Sequence, residues 1–362
     1  MKFLVALNLV ASISALTTKA FECAIEKLEA GSAYLPIRLP KPHGNYGVGV
    51  FYHDLTDETR SILIDGVPTP RLMELNVFYP TDQPLKATAD PQYCTDDHWA
   101  NIVYNYNIDR NTTSPHVLHW AELKAPPTTA SNLPILVFSH GLGVPVEQYT
   151  AVAQDIASTG RVVVQITHTG YAYSTVLAND LTDMLQCYTD SMALCPFPAD
   201  SNQMVECLDS KCPGAYQNNI YPTFVNDVRY VLDHLKALPW GPLADKLDLT
   251  NIGVAGHSIG GAVATNISIV GDYPNVLFAL NLDGDSHTFG TDFKNLDRIV
   301  FKHFVSESTA KSIQSQIPSK FETIVPNSVH MDFALDTAYV GRFDVAGNIH
   351  CKIMEFIETS WN

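Results

Sequence analysis

The sequence predicts an α/β fold: a mostly parallel central sheet with helices on both faces. Three observations carry this. Short, near-continuous apolar runs recur at Pro134–Ser139, Arg161–Thr167 and Val276–Leu282, as strands buried on both faces require. Segments of helical periodicity alternate with them, the clearest being Phe224, Val225, Val228, Val231, Leu232, Leu235 and Leu238. A serine flanked by glycines, Gly256-His257-Ser258-Ile259-Gly260, stands between an apolar strand (251–255) and a run of small apolar residues (261–267).

Taken in order, residues 21–45 read as an extended, proline-marked lead-in, and Glu74–Pro80 as an early strand. Residues 81–131 are polar, with Pro and Asn, and read as a long excursion across the surface. The strand at 134–139 is followed by a helix over Val144–Thr159, with Gly160 as its stop, and then by the strand at 161–167. The rhythm breaks over about 170–218, where four of the seven cysteines crowd (Cys187, Cys195, Cys207, Cys212) and a cysteine-rich, lid-like insertion is expected. It resumes with the helical stripe, the strand into Ser258, the strand at 276–282, strands at Arg298–Val305 and Phe321–Pro326, and a closing helix over Phe343–Trp361.

The chain has 362 residues and a net charge of -16, which argues against nucleic-acid partners and against docking on an anionic membrane by charge. Met1-Lys2, then an apolar stretch to Leu16 and small residues up to Ala20, read as a secretory signal peptide over residues 1–20. The apolar run is short for a membrane span. The expectation is an exported protein with one domain over 21–362. In an oxidising compartment the four clustered cysteines read as two disulfides. A zinc site is the weaker reading, because a second C-x2-C and nearby histidines are missing. Cys23, Cys94 and Cys351 are left without an assigned pairing. Asn111-Thr112-Thr113 and Asn266-Ile267-Ser268 are glycosylation sequons, the second in a segment where packing would hide it.

G-x-S-x-G between a strand and a helix is the nucleophile elbow of the α/β-hydrolase fold. A serine hydroxyl needs a general base, and the base needs a carboxylate to fix its tautomer. The chain order Ser, acid, His leaves His287, His303, His330 and His350 of the thirteen histidines. His303 lies inside a buried strand and reads as structural, and His350 falls in the closing helix and reads as a surface or packing residue. His330 follows the last strand, where this fold delivers its base, with His287 the competitor. For the acid, Asp283, Asp285 and Glu307 each follow a strand, and the residues alone leave the three open. The oxyanion hole needs two backbone N–H groups. Ile259 supplies one, and Leu142 in Ser139-His140-Gly141-Leu142-Gly143 is the candidate for the other. His140 reads as a brace of that turn. No metal and no organic cofactor is required.

Several of these stretches together resemble the secreted platelet-activating factor acetylhydrolases. They are Phe138-Ser139-His140-Gly141-Leu142-Gly143, Asp155-Ile156-Ala157-Ser158, Gly256-His257-Ser258-Ile259-Gly260-Gly261, Leu282-Asp283 and Ser328-Val329-His330, with Tyr46–Val50 and Val77–Pro80 as the opening. The likeness runs from about Asn45 to Trp361. It implies a calcium-independent serine phospholipase A2 of the α/β-hydrolase fold, with Asp283 as the acid and Leu142 and Ile259 as oxyanion donors. Its implied substrate is a phospholipid with a short or oxidised sn-2 acyl chain, of the 1-alkyl-2-acetylglycerophosphocholine type. A transient contact with a lipid interface goes with that. Three stretches depart from the family: Gly284-Asp285-Ser286-His287, His168-Thr169-Gly170 and the cysteine-rich insertion. All are expected near the pocket mouth. Over 171–222, six carboxylates face one lysine, Lys211, which disfavours anionic headgroups. The other readings are a general lipase or cutinase-like polyester esterase with the same triad, and a non-catalytic binding protein of the same fold.

Overall fold

The computed structural model describes residues 37–64, 67–87, 117–172, 174–176, 181–183, 220–284, 293–312, 317–334 and 342–361. Its strands are β1 (Ile37–Arg38), β2 (Gly47–Ile64), β3 (Val67–Thr81), β4 (Val117–Leu118), β5 (Ala121–Leu123), β6 (Leu133–Ser139), β7 (Val162–His168), β8 (Ser174–Val176), β9 (Leu181–Asp183), β10 (Leu247–His257), β11 (Val276–Leu282), β12 (Val300–Ser306) and β13 (Glu322–Val325). The helices are α1 (Thr150–Ser158), α2 (Tyr221–His234), α3 (Ile259–Val270), α4 (Glu307–Ser312) and α5 (Phe343–Ser360).

Nine strands make one sheet, in the order β13-β12-β11-β10-β6-β7-β3-β2-β5. Every pairing is parallel except those of β3, which runs against both β7 and β2. The central strands are apolar and buried along their length because both faces are covered. On one face, Ile135, Val137 and Val254 pack with Phe224, Val228 and Val231 of α2 and with Ile259 and Val263 of α3. On the other, Leu136, Phe138 and Phe278 pack with Val152 and Ile156 of α1 and with Ile349 and Ile353 of α5. This is the α/β-hydrolase architecture that the apolar runs anticipate.

The differences have local causes. β2 is not anticipated: eight of its residues read His-Asp-Leu-Thr-Asp-Glu-Thr-Arg, too polar for a core strand. It forms because it pairs with β3 from Gly47 to Ile64 near the sheet edge, half-buried rather than enclosed. β3 likewise runs well beyond Glu74–Pro80. The expected surface excursion contributes β5, which pairs with β2. The helix expected from Val144 begins as a 3-10 turn (Val146–Tyr149) and becomes α-helical only at Thr150. Gly160 does end that segment, with φ +95°. Residues 1–36, the four clustered cysteines and Asn111 lie outside the described residues. Asn266 is half-buried on α3, and Ser268 is buried. Among the described residues, no helix is long and apolar enough to cross a membrane.

Candidate active site

Ser258 stands between β10 and α3 with φ 55° and ψ -125°. A non-glycine residue is held there only by its surroundings. The glycines on either side make the turn possible. A Cβ on Gly256 would lie 2.4 Å from the Gly260 carbonyl carbon, and one on Gly260 would lie 2.1 Å from the Ser139 carbonyl oxygen. The Ser258 N–H donates to Leu282 O (2.9 Å), tying the elbow to the end of β11.

His330 arrives from the turn after β13, and its Nε2 is 2.9 Å from Ser258 Oγ. Its Nδ1 is 2.8 Å from Asp283 Oδ2. Asp283 directly follows β11, is buried, and itself has φ 54°. The Ser306 N–H donates to Oδ1 (2.7 Å) and the Thr309 hydroxyl to Oδ2 (2.9 Å). Burial opposes ionisation of Asp283. The His330 contact and the Ser306 donor outweigh it and hold the carboxyl down at about 2. The His330 turn is fixed by Asp332, which accepts from the Val329 N–H (2.7 Å) and pairs with Arg342 (2.6 Å). Ser258, Asp283 and His330 are thus brought together. Glu307, in α4, faces away: it pairs with Lys311 and accepts from the Asn327 N–H. His303 is buried in β12 beside Glu322. His350 is buried against Asp155 (2.9 Å), a packing residue and not a surface one. Asp285 and His287 lie outside the described residues.

The loop after β6 lies against the elbow: a Cβ on Gly141 would come within 3.2 Å of Ser258 Cβ. Leu142 and Ile259 are buried beside the serine, and neither N–H meets an acceptor among the described residues. For Ile259 this follows from its place as the first residue of α3. Two side chains that sequence reasoning missed connect this loop to the base. Tyr149 Oη accepts from the Gly141 N–H (3.2 Å) and donates to His257 Nδ1 (2.7 Å). His257 Nε2–H in turn donates to the His330 carbonyl (3.1 Å). Burial, then the neighbouring His330, pushes His257 down to about 3, so it stays neutral and can both accept and donate. His257 could have been suspected from its place before the serine, whereas nothing local marks Tyr149.

The departure at His168-Thr169-Gly170 is buried. His168 and Thr169 are fully buried, and His168 bridges Ser139 and Asp227. Among the described residues, no cluster of His, Cys, Asp and Glu could hold a metal.

Comparison with known proteins agrees with the fold. A ferulic acid esterase from Streptomyces cinnamoneus shares the fold, with a TM-score of 0.59 at 19% identity over 90% of this chain and 93% of its own. The family model for platelet-activating factor acetylhydrolase, isoform II, matches residues 33–186, a span that includes the Gly141–Leu142 loop. The platelet-activating factor acetylhydrolase of Canis lupus familiaris is 26% identical over 278 residues, covering 69% of this chain and 56% of that protein. The chain therefore spans just over half the length of that relative. The fold is that of an α/β-hydrolase, and over residues 33–186 the chain is similar to the platelet-activating factor acetylhydrolases.

Proposed function

We propose that this chain is a serine carboxylic-ester hydrolase. One observation carries the reading: a strained, partly accessible serine whose hydroxyl meets a histidine held by a buried carboxylate. In this reaction His330 Nε2 takes the Ser258 proton as Oγ bonds to the ester carbonyl carbon. The Leu142 and Ile259 N–H groups take the developing oxyanion. When the intermediate collapses, the bond to the alcohol oxygen breaks and His330 returns its proton to the leaving alcohol. Water, deprotonated by His330, then attacks the acyl carbon, the bond to Oγ breaks, and His330 returns the proton to Ser258 Oγ as the acid leaves. Asp283 stays ionised throughout and stabilises the imidazolium.

The family likeness supports a phospholipid substrate with a short or oxidised sn-2 acyl chain, of the 1-alkyl-2-acetylglycerophosphocholine type. Export after removal of residues 1–20, a single domain over 21–362, disulfides in the insertion and transient contact with a lipid interface belong to the same reading. The test is the initial rate on a 2-thioacetyl ether-phosphocholine analogue without calcium. Wild type should turn it over, and Ser258→Ala should lose on the order of 10⁴-fold or more. A wild type that ignores this analogue but cleaves p-nitrophenyl butyrate would keep serine catalysis and replace the phospholipid by a simpler ester. A wild type inert to both, and to a fluorophosphonate, would favour a non-catalytic binding protein.

A further inference from the structure

Behind the oxyanion loop lies a second Ser–His–Asp chain. Ser139 Oγ is 2.8 Å from His168 Nε2, and His168 Nδ1 is 2.8 Å from Asp227 Oδ2. All three side chains are buried, so this set cannot attack a substrate. We propose that it is a positioning device: Asp227 and His168 fix the peptide that presents the Leu142 N–H to the oxyanion. The proposal rests on the esterase reading of Ser258.

The proton positions follow from the partners. Asp227 is paired with Arg71 (2.5 Å) and Arg60 (2.8 Å), and Arg71 outweighs burial to hold the carboxyl well below its usual range. A carboxylate only accepts, so His168 must donate from Nδ1. Burial keeps His168 neutral despite Asp227. Its Nε2 is therefore an acceptor, and the Ser139 hydroxyl donates to it. The His168 backbone N–H donates to His140 Nε2 (3.0 Å). His140 is also buried and neutral, so its proton sits on Nδ1, which donates to the Gly141 carbonyl (2.6 Å).

That last bond sets the site. The Gly141 carbonyl and the Leu142 N–H belong to one planar peptide group and point in opposite directions. Two donors, His140 Nδ1–H and the Val144 N–H (3.1 Å), fix the direction of the carbonyl. In the proposal the opposite end of the same peptide, the Leu142 N–H, faces the oxyanion. The far side of the loop is tied to the same anchor. The Gly143 N–H donates to Tyr171 O (2.8 Å), and Arg71 lies 5.6 Å from the Tyr171 ring while donating to Thr169 O. One ion cluster thus holds the oxyanion loop at both ends.

The experiment measures kcat, KM and trifluoromethyl-ketone affinity for Ser139→Ala, His168→Ala and His168→Gln, each normalised to Ser258 titrated with a fluorophosphonate. A misplaced donor should lower kcat per titrated site by about tenfold to a hundredfold, with KM within threefold. Affinity for the ketone, which forms an oxyanion on Ser258, should fall by the same factor. His168→Gln, whose amide can donate to Asp227 and accept from Ser139, should recover part of the His168→Ala loss. If His168→Ala does not fold, Ser139→Ala and His168→Gln decide. Variants that lose titratable sites but keep wild-type kcat per site and ketone affinity would overturn the proposal and leave the esterase intact. A wild type without Ser258-dependent hydrolysis would overturn both.

Discussion

Two Ser–His–Asp chains of nearly equal spacing lie on either side of the oxyanion loop, and their surroundings give them opposite characters. In the first, Ser258 has φ 55° on a turn, and the His330 side chain is 20% exposed. In the second, Ser139 ends a strand, and the His168 and Asp227 side chains are wholly buried. The carboxylates also differ. Asp283 is held by His330, a backbone N–H and a threonine hydroxyl, with no arginine or lysine paired to it among the described residues, so an imidazolium at His330 has a counter-charge to itself. Asp227 already faces two arginines, which spend its charge. A Ser–His–Asp distance set is therefore not a nucleophile. Access, a strained serine and an otherwise unneutralised acid are also needed.

The sharpest way to break this comparison is to change each acid to its amide. Asp283→Asn should leave the fold intact and lower kcat by roughly 10⁴-fold, because the imidazole loses its tautomer and its counter-charge. Asp227→Asn should act first on stability, by about 3–5 kcal/mol, because it leaves Arg71 buried with a neutral partner. Urea unfolding beside ester hydrolysis reads both. If Asp227→Asn cost only activity, or Asp283→Asn only stability, the division of roles would fail. Glu307→Gln is the control: its carboxylate does not touch His330, and activity should stay within about threefold.

The first chain was legible in the sequence and the second was not. Ser258 sits in a pattern whose glycines are demanded by contacts with neighbouring backbone, and chain order then points to His330. Asp283 needed the family likeness to be chosen over Asp285 and Glu307, since all three follow strands. The second chain joins residues far apart in sequence, Arg71 with Asp227 and Ser139 with His168, and no local pattern encodes such pairings. One signal was available: Asp227 falls three residues after Phe224 and four before Val231, on the apolar stripe of α2, where an unpaired acid would be costly. β2 was missed for the converse reason, because partnership with β3 near the sheet edge outweighs its polar composition.

Tyr149→Phe probes the bridge between the oxyanion loop and the base. It removes the acceptor of the Gly141 N–H and the donor to His257 Nδ1. The expected result is about a tenfold loss of kcat with little change in KM, because both ends of the site relax while the substrate pocket stays. Loss in KM alone would assign Tyr149 to substrate binding instead.

The smallest effect tests the rule that burial decides how an aspartate–histidine pair behaves. His43 Nδ1 lies 2.6 Å from Asp155, closer than the aspartate–histidine contact of either chain, yet its side chain is 32% exposed. Burial pulls His43 down, but Asp155 and then Glu358 outweigh it and raise it from 6.5 to about 9. His168, with no solvent, is lowered instead. A folded-state value above the unfolded one means that the His43 contribution is complete below about pH 6.5 and is lost as the pH rises through about 9. His43→Gln should therefore lower stability by about 1 kcal/mol at pH 6, after allowance for solvent screening, and by much less at pH 9.5. Urea midpoints of the two proteins at both pH values would show it. A difference that grew with pH would mean that His43 is neutral in the fold, and that a partly exposed pair behaves like the buried one.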